Sequence, residues 1–428
     1  MQYNRRFWYN RSTMAPASYQ RIAPRPGAAR RRRTRGPALA LIALLGAAVF
    51  AGGFILFWSL GSWLVGGSGL PGSGDRAGNA STGILLASSE YTLEPLVDLR
   101  AFRDLSYVPV KGVYVSSYGA GNEEILARLL ALADRTEINA FVIDVKDDFG
   151  KVTYSADVPL AVSRGLIEKR IEDIDGLLAT LRKHGITPIA RLVCFKDNDL
   201  ARKRPDLAVQ STEGGVWQDR KGLRYTNPYN HEVWEYNVQV AEDAARRGFR
   251  EIQFDYVRFP SDGPVEQAVY PGEYTTKEEA IAGFLAFARE RLEPLGVWVS
   301  ADVFGVTVHV KNDQGIGQQL EKMARNVDLI CPMVYPSHYS QGYYGLESPN
   351  AQPYELIKKA MADTAARLAG TGAKGRPWLQ DFSLGGVQYG AEEVKAQIRA
   401  AEEMGFDEWL LWDPALKYVE AALRPESS

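Results

Sequence analysis

The sequence predicts a (β/α)8 barrel preceded by a single transmembrane helix, and three observations carry that expectation. Eight short runs rich in β-branched and aromatic residues alternate with amphipathic stretches across residues 106–420, the pattern of repeated parallel βα units. No Gly-x-Gly-x-x-Gly turn follows the first run and no Gly-x-x-x-x-Gly-Lys-Ser/Thr motif occurs, which counts against a doubly wound nucleotide-binding sheet. Ahead of this body no charged side chain occurs between Arg35 and Asp75, and the chain is apolar from Pro37 to Val65.

Residues 1–36 hold ten Arg and no acid, so the net charge of −2 divides into +10 ahead of residue 37 and −12 behind it. The apolar stretch is long enough to cross a hydrocarbon core of about 30 Å and too long for the core of a cleavable leader. Trp58 and Trp63 suit the far interface. The expected layout is a cytoplasmic Arg-rich tail (1–36), a membrane helix (37–65), a Gly/Ser-rich tether (66–105) and an extracytoplasmic barrel (106–420). This makes the protein a single-pass protein of the cell membrane, with lipid as a partner through its N-terminal anchor. Arginines placed directly before a spanning segment set topology, so no nucleic-acid partner is expected.

Within the body the expected strands are 112–115, 140–145, 187–194, 251–256, 297–303, 328–335, 378–382 and 408–412. Helix starts are signalled by Asn122, Asp173, Asn230 or His231, and Thr276, with later helices over 317–325, 354–368 and 391–404. Gly185, Gly248, Gly296 and Gly405 stand just before the next strand, where a helix C-cap glycine belongs.

Side chains of a barrel strand alternate between interior and helix layer, and a barrel's active site lies at the carboxyl ends of its strands. If Ile252 and Phe254 face the helices, Gln253 and Asp255 point inward. The same parity sends Asp144 and Lys146 inward on strand two, and Trp298, Ser300 and Asp302 on strand five. Three strands thus deliver a carboxylate to one mouth, where unpaired charge is costly unless it is used or paired. The competing reading is structural ion pairing, for instance Asp255 with Arg258. Phe195, Tyr256, Phe259, Phe304, Tyr335, Tyr339, Phe382 and Trp412 crowd the same ends, and aromatic faces beside carboxylates suit sugar rings. Core packing accounts for Phe304 and Phe382, whereas Trp412 is placed for a platform.

Two cysteines and four histidines exclude a disulfide-stapled scaffold and leave little for a metal site; none is expected. Cys194 and Cys331 fall on strands three and six and read as buried free thiols. His309 and His338 lie on loops after strands five and six, within reach of a substrate.

Lys111–Val115, Phe141–Asp147 and above all Gln253-Phe254-Asp255-Tyr256-Val257-Arg258-Phe259-Pro260 resemble the bacterial glycoside hydrolase-like barrel domain family, whose substrate is uncharacterised. Cys331–Pro336 and Trp378–Phe382 fit its later strands, and the resemblance covers residues 108–415. It is distantly similar to barrels of the α-amylase and α-galactosidase type. What the resemblance implies is a glycoside hydrolase acting on a cell-envelope or extracellular polysaccharide, without a cofactor. Asp255, at the end of strand four, matches the nucleophile. Asp302 on strand five matches the acid/base, as Asp where α-amylases carry Glu. Asp144, Lys146, Arg191, Arg258, Tyr335, His338 and Trp412 are the expected substrate-binding set. The alternatives are a non-catalytic glycan-binding barrel, which needs no close pair of carboxylates, and a polysaccharide deacetylase, which needs a His/Asp ligand cluster.

Overall fold

A computed structural model describes residues 107–272 and 275–425. Eight parallel strands close on themselves: β1 (Lys111–Val115), β2 (Ala140–Lys146), β3 (Thr187–Val193), β4 (Glu251–Asp255), β5 (Trp298–Phe304), β6 (Leu329–Met333), β7 (Trp378–Gln380) and β8 (Trp409–Trp412). Each pairs with the next in sequence, and β8 returns to β1 through Lys111↔Trp409 and Val113↔Leu411. The weakest seam is β6–β7, where Trp378 registers only with Met333, although Lys374–Gly375 adds a short pairing to β6.

Between the strands run α1 (Glu123–Ala133), α2 (Ile174–Lys183), α3 (His231–Arg247), α4 (Lys277–Leu292), α5 (Leu320–Ala324), α6 (Pro353–Leu368) and α7 (Ala391–Glu403). Their ends follow local chemistry. The Asn122, Asp173 and Asn230 side chains accept the first free N–H groups of α1, α2 and α3. Thr276 and Glu279 form a reciprocal capping box on α4. At the other end of α3, Gly248 adopts φ 115°, a left-handed conformation that a side chain would strain. The helix expected over 317–325 shrinks to Leu320–Ala324, because the Asp313 carboxylate takes the Gly315 and Gly317 N–H groups into a turn.

The transmembrane part of the expected fold class is corrected. Among the described residues no helix is long and apolar enough to cross a membrane. The longest, α3, has 17 residues and carries Glu232, Glu235, Arg246 and Arg247, so it has one apolar stripe for the sheet rather than an apolar circumference. The 37–65 stretch on which the expectation rested lies outside the described residues, as do the tail and tether. The lipid partner therefore has no support.

Two layers of packing follow from strand parity. Phe141, Ile143, Ile252, Phe254, Val299, Ala301 and Val303 join the helix-side core. Tyr114, Val142, Ile189, Cys331, Trp378 and Leu410 fill the interior. Gly112 faces that interior because a Cβ there would lie 2.7 Å from Leu410 Cδ2. At the amino end of the barrel Arg376, fully buried, is ion-paired with Glu251, whose carboxylate also accepts Ser300 Oγ. Both cysteines are buried and free.

Candidate active site

The carboxyl end of the barrel is organised around Arg191, which is 2% exposed on β3. Its Nε and Nη2 donate to Asp255 Oδ2 at 2.9 and 2.5 Å, and Nη1 donates to Asp144 Oδ1 at 2.6 Å. Nη2 also reaches Asp148 Oδ1 at 3.4 Å. Burial alone would lower the guanidinium pKa, but Asp255, Asp144 and Asp148 together hold it well above its ordinary value. The remaining Asp144 oxygen accepts the Tyr114 hydroxyl at 2.6 Å. Burial pushes Asp144 up to about 6, with Arg191 opposing the rise.

Asp255 Oδ1 accepts the N–H of Tyr256 at 2.6 Å, a contact made possible because Tyr256 sits at φ 48°. A carboxylate offers about four lone-pair directions. Three are taken, two on Oδ2 and one on Oδ1, so one on Oδ1 stays open.

Asp302 is in a different environment. Phe254 registers with Ala301, so Asp255 and Asp302 are the next residues along two neighbouring strands, one strand spacing of about 4.8 Å apart. Asp302 is 1% exposed and receives the Trp378 indole N–H on Oδ1 at 2.8 Å. Burial, reinforced by the charge of Asp255, raises its pKa well above the ordinary carboxylate range. One carboxylate is thus gripped by a guanidinium, and its neighbour is desolvated with no cation touching it. Two such environments side by side suit a charged group and a proton donor.

Of the expected set, Asp144, Arg191, Asp255, Asp302, Tyr335 and Trp412 come together here. Trp412 stacks on Tyr114 at 4.0 Å with rings 21° apart and lies 5.3 Å from the Arg191 guanidinium, so one of its faces is already covered. Tyr335 is buried beneath the mouth, edge-on to Phe382 and to the exposed His338. Lys146 is not with them. A bulge aligns Asp144 with Arg191 but Lys146 with Leu192, which turns Lys146 toward the helix layer. There it pairs with Asp197 at 2.7 Å and donates to Asn237 of α3 at 2.9 Å. Arg258 does not pair with Asp255 either; Arg191 takes that place.

Sequence reading passed over Tyr114, Trp378 and Lys196, and took Asp148 only with Asp147, as a holder of a divalent ion or a solvated loop acid pair. Strand parity was a usable signal for the first two, since Val113 and Leu379 face the helices. Asp148 and Lys196 are on loops, where no periodicity exists to read. Among the described residues no group of three or more His, Cys, Asp and Glu is arranged to hold a metal ion.

Residues 112–418 match the family described as "putative glycosyl hydrolase domain". The chain belongs to that family. A hypothetical protein from Ruminiclostridium thermocellum is 42% identical over 45% of this chain and 97% of its own, with a TM-score of 0.42. The PgaB (BpsB) glycoside hydrolase domain from Bordetella bronchiseptica is 13% identical, covering 75% of this chain and 100% of that one with a TM-score of 0.55. The α-galactosidase TtGalA from Thermus thermophilus is 16% identical over 76% and 66%, with a TM-score of 0.47. The likeness to the Bordetella domain is one of fold. No protein of curated function is similar to the chain. Family membership and barrel together make this a glycan-acting type of domain.

Proposed function

We propose that the protein hydrolyses glycosidic bonds in a polysaccharide, with Asp255 as nucleophile and Asp302 as general acid and then base. The observation that carries this reading is the pairing of unlike carboxylates at adjacent strand ends: Asp255 held by Arg191, Asp302 desolvated under Trp378. The open lone pair of Asp255 Oδ1 attacks the anomeric carbon while the glycosidic C–O bond breaks. Asp302 gives its proton to the departing oxygen. Water, deprotonated by Asp302, then attacks the same carbon and releases Asp255. The spacing of one strand supports the close carboxyl separation of about 5–5.5 Å used by retaining enzymes over the wider gap that admits a water. Arg191 orients Asp255, and Asp144 keeps Arg191 in place.

The test is a glycan panel offered to the full-length protein and read by release of reducing ends. Proton NMR of the first-formed product gives its anomeric configuration, and retention is expected. Asp255→Asn should fold normally and lose on the order of a thousandfold or more in rate. Asp302→Asn should lose less on aryl glycosides, whose leaving groups need no proton. Hydrolysis at the parent rate by a folded Asp255→Asn protein would end this reading.

A further inference from the structure

Four cationic side chains are buried among the described residues: Lys146, Arg191, Arg258 and Arg376. Three of them hold a carboxylate: Lys146 has Asp197, Arg191 has Asp255 and Asp144, and Arg376 has Glu251. Arg258 is 6% exposed and has none. A buried guanidinium without an anion is costly, and Arg is rarely fully buried unless paired.

Its immediate surroundings are organised all the same. The guanidinium carbon lies 4.7 Å from the Tyr256 ring and 4.5 Å from the Phe304 ring. Nη1 donates to Phe259 O and Ser261 Oγ, both at 3.0 Å. The group is therefore fixed in orientation by two aromatic rings and a loop. Its Nε and Nη2 donate to no protein atom, and neither is sealed from solvent. That leaves open the edge of the fork whose parallel N–H groups receive a carboxylate or phosphate side-on. A second cation stands on the same ring: Lys196 Nζ is 4.4 Å from the centre of Tyr256 and 3.3 Å from its hydroxyl. Among the described residues no carboxylate lies within ion-pair distance of Lys196, although the charge of Asp148 acts on it from further off. Tyr256 directly follows Asp255, so the ring that both cations touch belongs to the residue next to the carboxylate proposed to do the chemistry.

We propose that the glycan taken at this mouth is acidic: a sugar at or next to the cleaved bond carries an anionic group that the open edge of Arg258 receives, with Lys196 adding charge. This rests on the hydrolase reading for its location and goes beyond it in naming the substrate class. The anion is the carboxylate of a uronic acid or a sulfate or phosphate ester, since the fork fits each.

Binding is measured calorimetrically on full-length Asp255→Asn protein, in which turnover should be slowed on the order of a thousandfold or more. The probes are uronic-acid oligosaccharides, their carboxyl-reduced neutral forms, sulfated and phosphorylated oligosaccharides, and amino-sugar oligosaccharides. An acidic probe should bind at least tenfold more tightly than its reduced form, and the gap should narrow as salt rises. Whichever acidic probe shows the preference identifies the anion. Adding Arg258→Gln should remove the preference and leave the neutral ligands unchanged, while Arg258→Lys should restore part of it. Should Arg258→Gln not fold, Lys196→Gln, at a half-exposed position, should still narrow the gap. Equal binding of acidic and reduced forms, a preference for amino sugars, or no binding of any acidic probe overturns the proposal. Acid preference in a protein that never releases reducing ends would keep this inference and sink the hydrolase reading. Cleavage of neutral glycans without acid preference would do the reverse.

Discussion

Asp381 shows how a single buried charge sets a pH dependence. It follows β7, is 3% exposed, and has one oxygen bonded to the Val419 N–H and the other without a partner. Burial pushes it up to about 7, against the Val419 bond, and nearby Asp413 adds to the rise. Its folded pKa exceeds its unfolded one, so its stabilising contribution is full below about pH 4 and is lost as pH climbs through 7. Asp381→Asn keeps an acceptor for Val419 and removes the charge. At pH 8 it should gain on the order of 3 kcal/mol relative to the parent, with the gain vanishing near pH 4 in denaturant titrations. In the proposed mechanism Asp302 gives activity a pH dependence of the same sense: it has to be protonated to donate, so turnover should fall with rising pH. Asp302→Asn should abolish that alkaline fall on aryl glycosides. The placement of the two site carboxylates is legible in the sequence. Alternation alone places Asp255 and Asp302 on one interior face. It fails for Lys146 because the bulge is a property of how β2 meets β3, and no residue near Lys146 announces it. The partner of Asp255 was equally hidden, since Arg191 and Arg258 are both plausible in sequence and only tertiary register chooses.

At the level of elements, ends are governed by side-chain chemistry that sequence displays, and interiors by long-range contact that it does not. The strands appear within a residue or two of expectation where apolar alternation is strong, as in β2 and β5. They shorten at β6 and β7, where the chain leaves the ladder to build the mouth. Helix starts are the most legible feature, because one Asn or Thr satisfies N–H groups that otherwise lack a partner. For α3 this has a measurable weight: Asn230 accepts from both Glu232 and Val233 N–H. Asn230→Ala should cost about 1 kcal/mol of unfolding free energy, and Asn230→Gly only a few tenths. Because α3 packs behind β3 and β4 rather than into the mouth, kcat should be unchanged in either variant at temperatures where both are folded. A fall in kcat equal to that of a site variant would show that α3 does more than support.

Taken as a whole, the barrel keeps its two ends for different purposes. The carboxyl end gathers Arg191 and its carboxylates. The amino end is closed by Arg376 with Glu251 and by Glu408, which accepts the Val110 N–H. Glu251→Gln would leave Arg376 buried with a neutral neighbour and should cost about 3 kcal/mol. A folded sample should retain its glycan affinity, measured calorimetrically, because stability and chemistry sit at opposite ends. The closure of the barrel has a further consequence, in time rather than in space. Lys111 of β1 pairs with Trp409 of β8, so the first strand made waits for the last. At about 5–20 residues per second of synthesis, that wait is roughly 15–60 s. Throughout it the free edge of β1 is an unpaired template on a nascent chain. Chains stalled on the ribosome before residue 409 should be cut readily by protease in a brief pulse. Resistance should arrive in one step once Trp409–Trp412 has cleared the exit tunnel, and a gradual gain strand by strand would mean that the open sheet is stable without its seam.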